Sequence, residues 1–133
     1  MIMKTIEESL PLCNHEIQSQ QDQEGNITVT AVFRFPESFS AFTGHFPEIP
    51  ILPGIIQLSS VRYIAEQAVQ KRLLPIRFSK TKFRSMIKPE QEVQISLTLN
   101  IKNDTYQGKF QILDTHSEII TKGNCVFSET LTL

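Results

Sequence analysis

Cysteine is scarce in this chain of 133 residues, and its two thiols, Cys13 and Cys125, fit neither a metal-binding nor a redox spacing. An excess of basic residues is also missing. Thirteen Lys and Arg stand against fourteen Asp and Glu, a balance that argues against generic nucleic-acid binding. No apolar run approaches membrane-spanning length. Met1-Ile2-Met3-Lys4 runs straight into Glu7-Glu8 without the apolar segment of a secretory signal, so the expectation is a cytoplasmic protein with two reduced, structural thiols. Internal repeats, metal-ligand clusters and phosphate-binding glycine loops are absent too, so neither a metal nor a bound cofactor is expected.

What is present is enough for one packed domain spanning 1–133. Forty per cent of the residues are hydrophobic and nine are Phe. The charge is unevenly spread. Residues 1–50 carry a net −5, residues 51–90 a net +6, and residues 91–133 a net −2. The central segment therefore suits either an acidic partner or a solvated strand face.

The pattern along the chain places the elements. Asp22-Gln23-Glu24-Gly25-Asn26 reads as a turn, and Ile27, Val29, Ala31, Phe33 and Phe35 then alternate at the period of a half-buried strand. Four prolines between Pro36 and Pro53 exclude a regular helix or central strand and predict a long functional loop. Gly54 opens the one convincing helix, expected over 55–72, with Leu58, Val61, Ala65 and Ala68 on one stripe and Leu74-Pro75 as its stop. Period two returns afterwards. The expected strands cover 78–87, 93–101, 106–113 and 119–127, with Asn103-Asp104 as a hairpin turn. A lone helix needs a sheet over its apolar stripe, so the fold class is α+β, with a curved antiparallel sheet wrapped around one long central helix.

The stretch Gly44-His45-Phe46-Pro47-Glu48-Ile49-Pro50-Ile51-Leu52-Pro53-Gly54-Ile55-Ile56-Gln57-Leu58 carries the chemistry. A histidine in a proline-stiffened loop is held at modest entropic cost. The loop delivers a glycine to a helix N-terminus, whose unpaired N–H groups and partial positive charge suit a carbonyl oxygen gaining negative charge. A glycine there also lets a ligand approach the backbone closely. A base plus an oxyanion donor is what proton abstraction beside a thioester carbonyl requires.

His45-Phe46-Pro47, Pro50 and Pro53-Gly54 resemble the signature of bacterial 3-hydroxyacyl-(acyl-carrier-protein) dehydratases, small enzymes of the hot-dog fold from fatty-acid synthesis. Gln57-Leu58 looks closer to thioester dehydratases associated with specialised polyene lipids. The resemblance extends to Lys82-Phe83-Arg84 and Ile87-Lys88-Pro89. It implies a single hot-dog domain in which His45 removes the α-proton and the Gly54 amide polarises the carbonyl. Phe46, Pro53 and Gln57 would then lie against the substrate. The family places a carboxylic acid five residues after the glycine, and Ser59 occupies that position. A Ser hydroxyl is a poor general acid at neutral pH, and losing a proton-transfer partner costs about 10²–10⁴ in rate. Glu66, seven residues on, is displaced by roughly 10 Å along the helix. With Arg62 at i, i+4 it reads equally well as half of an ion pair.

Three functions follow from the resemblance. The first is reversible dehydration of a 3-hydroxyacyl thioester to a trans-2-enoyl thioester, a hydro-lyase reaction that needs only the phosphopantetheine arm of a carrier protein or coenzyme A. The second is a non-catalytic acyl-thioester or carrier-binding subunit, or the partner of a catalytic hot-dog paralogue in a heterodimer. The third is thioester hydrolysis, which the same missing carboxylate weakens. Homodimer or heterodimer formation is expected, because the resembling family builds each site from two protomers. An acidic acyl carrier protein would dock on Lys71, Arg72, Arg77, Lys80, Lys82, Arg84 and Lys88. His15 and His116 are expected to face solvent. Phe39, Phe42 and Phe46 serve as core or as lining of an acyl tunnel.

Overall fold

A computed structural model describes residues 6–42 and 50–129. The chain runs α1 (Ile6–Cys13), β1 (Asn14–Gln21), β2 (Ile27–Arg34), a 3-10 turn at Ser40–Phe42, α2 (Gly54–Val69), β3 (Leu73–Phe83), β4 (Glu92–Lys102), β5 (Thr105–Leu113) and β6 (Ile119–Glu129). One six-stranded sheet has the order β1-β2-β4-β5-β6-β3, and every neighbouring pair is antiparallel. Period-two alternation explains how the sheet gains a dry inner face. Val29 pairs with Leu97 and Ala31 with Ile95, while Leu97 and Ile95 pair in turn with Phe110 and Ile112. All six side chains are buried. The inner face curves around α2, which buries Ile56, Gln57, Ser60, Val61, Ile64 and Ala65 against it. This is the α+β hot-dog architecture the sequence predicts.

Two of the three hairpins among the described residues follow from turn chemistry foreseen in the sequence. Asp22 accepts bonds from the Asn26 side chain, from the Asn26 amide and from the Glu24 amide, which together hold its carboxyl below the usual range. Asn103 and Asp104 both take positive φ, 51° and 64°, between β4 and β5.

Three expectations need correction. The central helix ends at Val69, short of residue 72, because Gln70 adopts a left-handed conformation and its N–H caps the Glu66 carbonyl. The strand expected over 78–87 spans Leu73–Phe83, and Pro75 lies inside it rather than before it. A proline is tolerated there because β3 is the sheet's edge, bonded on one side only, to β6. Finally, α2 is not the only helix. The short α1 contains Pro11 and docks Leu10 and Cys13 into the core, too brief a segment for periodicity to reveal.

Phe39 and Phe42 continue a line of aromatic contacts from Phe33 through Phe35, with ring centroids 5.5–6.2 Å apart. They are core residues. The loop is anchored at both described ends to one segment. Glu90 donates its N–H to the Phe35 carbonyl and accepts from the Glu37 amide, while the Leu52 amide donates to the Ile87 carbonyl. Among the described residues no helix is long and apolar enough to cross a membrane.

Candidate active site

Pro53 enters α2 in an extended conformation, φ −60° and ψ 147°, and offers no side chain as a cap. Its carbonyl accepts from the Ile56 and Gln57 amides at 3.0 and 3.3 Å. The Gly54 and Ile55 amides, the remaining donors of the first turn, meet no acceptor among the described residues. The helix therefore presents, among the described residues, two N–H groups without an acceptor at its positive end, an arrangement suited to an oxygen carrying developing negative charge.

Glycine at 54 lets an aromatic ring close onto the start of the helix. A Cβ there would stand 2.8 and 2.9 Å from Cζ and Cε1 of Phe83. The Phe83 ring, at the end of β3, thus lies directly over the first turn of α2 while remaining half exposed. Nothing in the strand alternation singled out Phe83, because its partner lies on a different element.

Gln57, assigned from the resemblance to the substrate site, is only 3% exposed. Its carbonyl oxygen accepts the Thr121 hydroxyl at 2.5 Å, and Thr121 is fully buried on the inner face of β6. This polar pair, set in an apolar interior, ties the first helical turn to the sheet. A polar residue at an inward position of β6 was the only sequence signal for Thr121.

Ser59 lies one turn further along. It is partly exposed, and its hydroxyl donates back to the Ile55 carbonyl at 3.0 Å. Glu66 is engaged with the start of β3. Its carboxylate accepts the Leu73 amide at 2.9 Å and stands 3.9 Å from Arg62, whose Nε donates to the Leu73 carbonyl. The two side chains clasp the start of β3. Leucine 73 is the residue they hold, which explains the Arg62–Glu66 spacing without catalysis.

His45 and Phe46 lie outside the described residues. His15 and His116 are exposed, as expected. Both cysteines are buried and form no disulfide, and burial pushes their thiols up to about 11 for Cys13 and about 12 for Cys125, which disfavours the thiolate at neutral pH. All seven proposed docking cations are exposed. Lys71 is separated from the rest by its ion pair with Glu129 at 2.9 Å, whereas Arg77, Lys80 and Lys82 follow one another along β3.

Comparison with known proteins bears on the family and the fold. A family model described as ApeI-like, ApeI dehydratase, matches residues 18–124. The 3-hydroxyacyl-(acyl-carrier-protein) dehydratase FabZ of Chlamydia caviae is 32% identical over 85 residues, covering 57% of this chain and 50% of that protein. The chain thus spans about half the length of the curated relatives it matches. Among solved structures, an uncharacterized protein from Erwinia carotovora superposes with a TM-score of 0.74 at 18% identity, over 90% of this chain and 97% of the other. The dehydratase heterocomplex ApeI:P from Xenorhabdus doucetiae superposes with a TM-score of 0.69 at 16% identity, over 87% and 96%. At these identities the structures speak for the fold alone.

Proposed function

Since the chain belongs to the ApeI-like dehydratase family, we propose that it forms one half of a 3-hydroxyacyl-thioester dehydratase whose acid comes from a second hot-dog subunit. The thioester carbonyl oxygen sits against the free Gly54 and Ile55 amides. His45 removes the α-proton, the electron pair moves onto that oxygen, and the amides stabilise the charge. Collapse of the enolate expels the 3-hydroxyl, which takes a proton from the acid and leaves as water. The product is a trans-2-enoyl thioester. The carrier's phosphopantetheine arm delivers the substrate, and no metal or redox group takes part.

The observation that carries this reading is the state of α2 beyond its first turn. The Ser59 hydroxyl is turned to its own backbone, and the nearest helix carboxylate, Glu66, is committed to Leu73 and Arg62. The amide end is intact and the acid is missing. A mixed dimer supplies the acid without altering this chain, and the existence of an ApeI:P heterocomplex of the same fold favours that arrangement. Hydrolysis of the thioester is the weaker reading, because it too needs a carboxylate to activate water.

The test is reconstitution. The purified chain, alone and mixed with an acid-bearing hot-dog subunit, is given a 3-hydroxyacyl thioester on carrier protein, and water loss is followed by mass spectrometry. Turnover that appears only on mixing and disappears with His45→Ala in this chain supports the proposal. Full turnover by the chain alone, or none in any mixture, rejects it.

A further inference from the structure

Phe83 reaches Gly54 only because β3 changes phase shortly before it. Upstream, Phe78 points inward: it pairs with buried Cys125 and meets Phe110 and Phe127 edge-on, with ring centroids 6.0 and 5.7 Å away. Strict alternation from Phe78 would turn residue 83 outward. Between Ser79 and Lys82 the register slips, so that Lys80 and Thr81 together oppose Gly123. Lys80, with a positive φ of 51°, is the extra residue. Thr81 lies inward, where a Cβ on Gly123 would stand 2.7 Å from its hydroxyl and 2.8 Å from Cζ of Phe110. Lys82 then pairs with Lys122, and Phe83 with Thr121. Cross-strand partners share a face, and Thr121 is buried on the inner one, so the bulge turns Phe83 inward.

Core filling does not account for this arrangement. A left-handed backbone is unfavourable for any residue with a Cβ, and Lys80 adopts one. What the bulge delivers is a ring that stays 49% exposed, whereas Phe78, ahead of the bulge, packs on two buried rings. The half-exposed ring is nonetheless fixed. Just beyond it the Ile120 carbonyl accepts from the Arg84 and Ser85 amides at 2.7 and 3.3 Å, which anchors the backbone that carries it. Its tip, Cζ and Cε1, is the part that faces Gly54. Its cross-strand partner Thr121 holds Gln57. One pair at the β3–β6 end therefore touches the start of α2 twice, through a hydroxyl and through a ring set beside the Gly54 and Ile55 amides. Bulges next to active sites serve to re-aim a side chain, and here the side chain is aimed at the two amides.

We propose that Phe83 is a positioning residue of the thioester site: its ring walls the Gly54 and Ile55 amides off from water on one side, and its open face bears on the bound thioester. This rests on the reading above that a thioester carbonyl occupies those amides. A carbonyl oxygen gains more from an N–H when water is kept away, because the local dielectric falls. The atom beside that carbonyl carbon is sulfur, which makes favourable contacts with aromatic rings. The half of the ring that the fold leaves open is then the half that the ligand covers. A bulge that only blunted the sheet edge would place no demand on residue 83. A ring that only packed on the helix would affect stability and not the choice of ligand.

The experiment reads binding and needs no turnover. The whole chain, alone and with the acid-bearing subunit, is titrated calorimetrically with octanoyl pantetheine, a thioester that lacks the 3-hydroxyl and cannot be dehydrated. The matching thioether, which lacks the carbonyl oxygen, is the second probe. Wild type should bind the thioester about 3- to 10-fold more tightly, the net worth of one hydrogen bond. Phe83→Ala should bring that preference below about 2-fold, while Phe83→Met, which keeps an apolar side chain of similar reach, should retain most of it. Ile76→Ala, which removes a comparably exposed apolar side chain from the same strand, should leave it unchanged. Urea denaturation checks that each variant is folded. A preference in Phe83→Ala equal to that of wild type, an equal loss in Ile76→Ala, or no preference in wild type would each overturn the proposal. So would dissociation of the subunits by Phe83→Ala with the preference intact, which would assign the open face of the ring to a partner chain. Mixed-dimer turnover separates this claim from the dehydratase reading. A preference that depends on residue 83, in a chain that dehydrates nothing, would sink that reading and leave Phe83 in its role. Dehydration with a preference indifferent to residue 83 would do the reverse.

Discussion

Gly54 and Ser59 lie five residues apart on α2, and their surroundings differ in kind. Around Gly54 the fold is closely specified. Pro53 sets the entry, Phe83 covers the glycine, and Thr121 fixes Gln57 from beneath, while two amides meet no acceptor among the described residues. Around Ser59 the same helix presents a short hydroxyl bonded to its own backbone and, two turns on, a carboxylate used to fasten β3. On the proposed reading, the parts that would bind and polarise a carbonyl are present where the part that would donate a proton is not. The two positions belong to different turns and are held by different neighbours, so on that reading binding and proton donation can be lost separately.

Several substitutions would break or sharpen that contrast. The largest effect belongs to Gly54→Val, whose side chain displaces Phe83 and crowds the two amides. The half-exposed ring can swing aside, so the fold should survive, while mixed-dimer turnover should fall about 10²–10³-fold, the usual loss of an oxyanion donor. A rate unchanged within a factor of two would place the carbonyl elsewhere.

Next in size is Thr121→Val, which strands the Gln57 carbonyl in the core. Urea denaturation should report a loss of about 1–3 kcal/mol, and adding Gln57→Leu should recover most of it, since removing both partners is far cheaper than removing one. Smaller again is Glu66→Ala. Releasing the Leu73 amide from a partly exposed acceptor should lower stability by about 0.5–1.5 kcal/mol and leave turnover as it was. A drop in rate without a drop in stability would return Glu66 to the catalytic set.

The smallest effect lies away from the site, where Lys71 and the Tyr106 hydroxyl both donate to Glu129. The Lys71 ammonium, then Tyr106, hold the Glu129 carboxyl below its ordinary value. A depressed carboxylate contributes stability above its unfolded pKa and loses it as pH falls through the folded one. Melting curves of wild type and Glu129→Gln should therefore differ slightly at neutral pH and converge in acid. Divergence in acid would reverse the assignment.

Much of this was legible in the sequence. Alternation located β2, β4, β5 and β6, the apolar stripe located α2, and Asn103-Asp104 marked its hairpin. Where local pattern and tertiary context disagreed, context prevailed. Pro75 reads as a stop but occupies an edge strand, and Gln70, with no glycine to announce it, takes the left-handed cap. The placement of Gly54 and Ser59 five residues apart on one helix was legible because that spacing is a property of the chain itself, whereas the role assigned to Ser59's position came from the resemblance alone. Phe83, Thr121 and Leu73 were not legible, because each acts on α2 from a distant strand.

The most direct measurement is the dehydration rate of the Ser59→Glu variant without any partner subunit, set against wild type and against Ser59→Glu with His45→Ala. If the acid is the one missing element, the single variant should gain about 10²–10⁴ in rate over wild type, and the double variant should lose that gain. A Ser59→Glu protein that still binds the carrier-borne thioester but turns it over no faster than wild type would contradict the account.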